Sequence, residues 1–228
     1  MARIETYKYS IEQAFRECFY IIPAYQREYV WTDKEVNQLL EDINDQFEND
    51  SNQEYFIGMV LVAKKLDSSN LYEVIDGQQR LTTLFLLVCA FWHLFQEQEY
   101  QEQGDQKDTG KRAQHLRHLL SDSYTNADGA VKDNLKLELC YENTSEIMER
   151  LLDREAVLSE NVRFGAPQNL VKAYKIVYDY LKDNYDDKGK FWGYLSNKVV
   201  FIQIATDVSH ALKIFETIND RGIGLNPM

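Results

Sequence analysis

Residues 73–84, EVIDGQQRLTTL, join a strand-like apolar run to an apolar helix through an Asp-Gly turn, two amides and an arginine. Amides at a helix start with a cation beside them suit an anion, because the first helical N–H groups lack intrahelical acceptors and the dipole is positive there. Phosphate is the first anion to consider. Gln26 and Arg27 follow a break at Pro23, and Asn219 and Arg221 stand at the end of a last helix, which sets three arginines at element ends. A guanidinium offers forked donors and keeps its charge at any working pH, so Arg27, Arg80 and Arg221 could together grip a polyphosphate. Gly77 would let the backbone approach such a ligand closely. Asp76 could hold a magnesium ion or orient a water, since hard cations take carboxylate and phosphate oxygens together. The same residues admit a plainer reading: an ordinary turn at Asp76-Gly77, an Arg80 paired with a carboxylate, and Asn219 as a helix cap.

Other constellations are weaker. There is no Walker-type phosphate loop, and the GIG at 222–224 lacks the strand, helix and spacing of a dinucleotide loop. His115 and His118 could offer two nitrogens to a metal, but with no third ligand nearby they read as a solvated pair. His93, within an apolar helix, and His210, near a helix start, read as structural. A metal-dependent nuclease would want an acidic pair and a lysine on a strand, of which LKLELC supplies only Glu138 in a suitable place. Phe85, Phe91, Trp92 and Phe95 repeat at helical spacing inside a greasy segment and read as core rather than a base-stacking platform.

The elements that must position these residues follow from periodicity. Ile11 to Arg16 reads as a short helix and CFYIIP as a strand stopped by Pro23, where the ladder donor is lost. Thr32 and Glu35 form a capping-box pattern ahead of a stripe at Val36, Leu39, Leu40, Ile43 and Phe47. EYFIGMVLVAKK and LYEVID read as adjacent strands or a hairpin, and the second feeds the opening motif. Leu81 to Phe95 is apolar almost all round, which predicts a central buried helix. The polar, Gly-punctuated stretch after it opens a helical insert, with a short strand at LKLELC. Gln168 to Tyr185 reads as an amphipathic helix and KVVFIQIA as a strand; the last helix is expected to be capped by Ser209 and ended by Gly222.

Composition bounds the function classes. A chain of 228 residues, 44% hydrophobic and 13% aromatic, can bury a sizeable core and lies far from disordered compositions. Its formal charge of −12 repels duplex DNA on average, and the nearest basic stretch, Lys111, Arg112 and Arg117 with His115 and His118, reads as a solvated helix face. Cys18, Cys89 and Cys140, odd in number and widely spaced, support neither a disulfide framework nor a zinc site, and point to a reducing cytoplasm. The start lacks an apolar signal core, and the longest greasy run is too short for a membrane helix, so no membrane association is expected.

Three blocks, IPAYQREYVW (Ile22 to Trp31), YEVIDGQQRLTTL (Tyr72 to Leu84) and FETINDRGIGL (Phe215 to Leu225), resemble in order, spacing and sequence the N-terminal domain of GmrSD-type modification-dependent restriction proteins. The first two are also similar, more distantly, to the boxes of ParB and sulfiredoxin-like proteins, in which a polar loop and a strand-to-helix turn bind nucleotide phosphates. The resemblance implies an α/β (α+β) fold: a ParB/sulfiredoxin-like core of a small mixed sheet with long helices, in a single domain over 1–228 with a helical insert at 104–166. It implies a nucleoside triphosphate bound with magnesium and hydrolysed to regulate DNA cleavage by a C-terminal nuclease domain or partner subunit. Asp76, Gln78, Gln79 and Arg80 inherit the hydrolytic role, with Asp76 on the metal; Gln26, Arg27, Gly77, Asn219 and Arg221 inherit nucleotide binding. Such relatives continue past the point where this chain stops at LNPM, so the nuclease is expected to be absent here and the end to be a truncation. Two rival readings stand beside this one: a modified-DNA-sensing module without chemistry, and a metal-dependent DNA endonuclease.

Overall fold

The computed structural model describes residues 4–65, 70–101, 107–125, 127–141, 144–153 and 166–222. Strand β1 (Glu5–Ser10) turns into α1 (Ile11–Glu17) at Ser10, whose hydroxyl accepts from the Gln13 N–H while the Gln13 amide oxygen accepts from the Ser10 N–H. Strand β2 (Phe19–Ile22) stops at Pro23, as expected. Helix α2 (Asp33–Asp50) starts where the Glu35 carboxylate accepts from both the N–H and the hydroxyl of Thr32, each at 2.8 Å. Strands β3 (Tyr55–Lys64) and β4 (Leu71–Asp76) pair antiparallel and lead into α3 (Gln78–Gln101).

After α3 come α4 (Lys107–Leu120), the hairpin β5 (Ser121–Thr125) and β6 (Val131–Leu135), strand β7 (Leu137–Leu139) and α5 (Ser145–Arg150). The chain closes with α6 (Ala166–Asn184), α7 (Lys188–Lys198), β8 (Val199–Thr206) and α8 (Val208–Gly222). The β5–β6 hairpin and α7 are additions to the sequence reading. Asp128-Gly129 was the missed hairpin signal, with Gly129 at φ +80°, and α7 is capped by the Asp187 carboxylate, which accepts from the Lys190 N–H at 3.0 Å. The cap of α8 differs too: Asp207, not Ser209, accepts from the His210 N–H at 3.0 Å, and the Ser209 hydroxyl donates to that same carboxylate.

Six strands form one mixed sheet in the order β1-β8-β3-β4-β2-β7. Along β3 the strand period sorts the side chains: Val60 and Val62 face the main core, while Leu61 and Ala63 join Ile75 of β4 and Ala211 of α8 on the opposite face. The main core is built on α3, whose residues from Leu84 to Phe95 are all buried, as its all-round apolarity requires. The result is an α+β architecture in which α3 lies under one sheet face and α8 on the other. No helix among the described residues is long and apolar enough to cross a membrane.

Candidate functional site

Strands β2 and β4 are parallel neighbours, so their C-terminal ends open at the same edge of the sheet. The loop after β2 carries Gln26 and Arg27; the turn after β4 carries Asp76 and Gly77 and runs into α3 at Gln78. Ligands of sheets with parallel strands gather at such carboxyl ends. Gly77 sits at φ +88°, and a Cβ there would lie 3.0 Å from the Met59 carbonyl oxygen and 3.1 Å from Val60 Cγ2. The turn therefore requires glycine for both backbone and space. Gly77→Ala is expected to cost about 1–3 kcal/mol of stability, measurable by urea unfolding.

A cavity of about 600 Å³ opens at this edge, and it gathers Gln26 and Arg27 with all five residues from Asp76 to Arg80. Trp31, Met59, Ile75 and Phe215 also line it, the last bringing the start of the third block to the site through α8. Asn219 and Arg221 lie at the end of α8, and their side chains fall outside the described residues.

Within the cavity the two glutamines have different tasks. Gln79 is buried, and its amide oxygen accepts from the N–H groups of Val30 (2.8 Å) and Trp31 (3.3 Å) while its Nε2 donates to the Glu28 carbonyl (3.0 Å). The whole amide is thus committed to holding the first block's loop against α3. Thr83 extends the clamp: its hydroxyl donates to the Gln79 carbonyl at 2.9 Å and accepts from the Tyr29 hydroxyl at 2.8 Å. Gln78 accepts from the Tyr141 hydroxyl at 2.6 Å, and its Nε2 points to Gln26 Oε1 at 3.4 Å; Gln26 in turn donates to the Ile75 carbonyl at 3.0 Å. Tyr141, Trp31 and Thr83 were not singled out from sequence, although Trp31 and Thr83 lie inside the two quoted blocks.

Arg80 is held differently. Its guanidinium packs against Gly58, where β3 bulges between Phe56 and Met59 and Gly58 takes φ +112°. A Cβ at Gly58 would stand 2.7 Å from Arg80 Nη1, so the bulge supplies the space in which the cation rests. Burial draws the Arg80 pKa below its ordinary value, and the nearby Asp76 carboxylate opposes that shift. Among the described residues neither Arg27 nor Arg80 has a carboxylate within ion-pair distance, which removes the plainer reading of Arg80 as one half of a salt bridge. A half-buried, unpaired cation facing a cavity is poised for an anion.

The remaining candidates are structural. His93 shares a 2.6 Å hydrogen bond with the Tyr174 hydroxyl in the core, and His115 Nε2 lies 3.4 Å from the Glu12 carboxylate. Arg117 pairs with Asp133 and covers the Trp92 ring, and Arg112 lies over Phe95, so two of the cations in the basic stretch hold α4 in place. No group of three His, Cys, Asp or Glu side chains that could hold a metal occurs among the described residues.

No curated protein matches the chain. A family model described as "GmrSD restriction endonuclease, N-terminal domain" matches residues 7–228, a span that contains all three blocks. The chain belongs to this family of N-terminal domains, and so to the components of modification-dependent restriction systems.

Proposed function

We propose that this cavity binds a nucleoside triphosphate and hydrolyses it, and that the reaction regulates a DNA nuclease carried by a C-terminal domain or a partner subunit. The observation that supports it most is that Arg27 and Arg80, which have no ion-pair partner among the described residues, face one cavity with the N-terminus of α3. Arg80 holds its fork in a fixed place and stabilises charge on the phosphoryl group in flight; Arg27, exposed on its loop, closes on the outer phosphates. Gln78, anchored by Tyr141, presents its amide to the cavity and orients the attacking water. Gln79 acts as a positioning residue, since its amide already serves three backbone groups.

Asp76 is the carboxylate of the cavity wall, which fits magnesium, an ion commonly held by one or two carboxylates together with phosphate oxygens and water. A magnesium ion there would neutralise phosphate charge. Asn219 and Arg221 join the nucleotide-binding set by the order of the three blocks. We further propose that the protein works in the cytoplasm, where thiols such as the exposed Cys140 stay reduced.

Phosphate release from nucleoside triphosphates, measured across a magnesium series, tests the reading. Asp76→Asn is expected to lower turnover at least tenfold and to raise the magnesium concentration for half-maximal rate. Turnover identical to wild type at every magnesium concentration would overturn the assignment of Asp76. A DNA-sensing role without chemistry predicts instead tight, salt-resistant binding of modified DNA and no phosphate release, against the repulsion that a net charge of −12 imposes.

A further inference from the structure

A second cavity of about 400 Å³ adjoins the first and shares two of its walls, Trp31 and Arg80. It lies between the N-terminal half of α2 and the start of β3, lined by Gln38, Asp42 and Tyr55 among others. We propose, building on the nucleotide reading above, that this second cavity is the nucleoside subsite: the triphosphate lies in the first cavity, the base and ribose in the second, with Arg80 at the junction.

Charge sets the orientation. Among the described residues the first cavity has Arg27 and Arg80 against the carboxylate of Asp76, whereas the second, beyond the shared Arg80, has Lys34 against Glu35 and Asp42. The anionic end of a ligand spanning both therefore belongs in the first. The walls of the second suit the uncharged end: Trp31 and Tyr55 provide aromatic faces of the kind on which bases stack. Lys34 and Arg80 are donors, and Gln38 and Asp42 bring acceptors. Gln38 donates its Nε2 to Asp42 Oδ1 at 2.7 Å, which leaves Gln38 Oε1 and Asp42 Oδ2 to receive the N–H and O–H donors that a base edge and a ribose carry. Glu35 is engaged elsewhere, on the cap of α2.

The test compares binding of inorganic tripolyphosphate and of the four ribonucleoside triphosphates, each with magnesium, by calorimetry. The variants are Gln38→Ala, whose side chain is exposed, and Asp42→Asn, with thermal unfolding to confirm that both fold. Wild type is expected to bind at least one nucleotide about tenfold or more tighter than tripolyphosphate, and each variant to lose roughly five- to tenfold on that nucleotide with no weakening for tripolyphosphate. Equal losses on both ligands, or none on either, overturn the subsite while leaving triphosphate binding in the first cavity intact. If wild type binds neither ligand, the nucleotide reading and the subsite fall together.

Discussion

Arg80→Ala is expected to reduce triphosphate turnover by about 10²- to 10³-fold, the range seen when one preorganised charge-stabilising donor is removed. The guanidinium is fixed by the β3 bulge rather than by a salt bridge, so its position exists before any ligand arrives. Arg80→Lys keeps the charge but lacks the planar fork, and should recover only part of the rate. Stability separates this role from a structural one. Removing a half-buried, unpaired cation relieves a desolvation cost, so Arg80→Ala should unfold within about 1 kcal/mol of wild type. A variant with unchanged turnover and a large loss of stability would make Arg80 a packing residue and sink the proposed mechanism.

Gln79→Leu carries the largest expected effect on the fold itself. The substitution leaves the N–H groups of Val30 and Trp31 and the carbonyl of Glu28 without their amide partner, in a partly buried setting. The expected cost is about 2–4 kcal/mol. For a chain of this size that is a drop of roughly 4–16 °C in melting temperature. The released loop is also the one that carries Gln26 and Arg27, so nucleotide affinity should weaken together with stability. Gln79→Glu sharpens the test: a carboxylate retains acceptors for the two N–H groups but has no donor for Glu28, and should lose about half as much. A Gln79→Leu protein that melts with wild type would show that the loop is held by other contacts, such as the Asn169 amide donating to the Tyr29 carbonyl at 3.1 Å.

The sequence carried the places of the candidate residues on their elements better than the contacts each one makes. The strand-to-helix junction at 76–80 and the loop after Pro23 were legible because glycine, proline and helix-start chemistry are local signals. What each polar residue does there was not. Gln78 and Gln79 are adjacent and chemically identical, and a helix sends them in directions about 100° apart, so one faces Tyr141 and the other the loop backbone. Gly58 gave no warning either. An isolated glycine in a strand signals a bulge, but not that an arginine from another element will fill the space. The missed parts of the fold have similar causes. Lys136, inside β-rich sequence, is buried because it pairs with Asp122 at 2.7 Å and lies 3.9 Å above the Phe19 ring, partners that sequence does not show beside it.

The parallel pairing of β2 with β4 has a consequence for how the molecule folds. The whole of α2 and β3 separates these two strands in the chain, so the halves of the cavity meet only after a long loop has closed. Under the proposed function, a nucleotide that gripped both halves would act as a noncovalent staple across that closure. Saturating ligand, at about a hundred times its dissociation constant, should add roughly 2.7 kcal/mol to global unfolding and slow hydrogen exchange in both strands together.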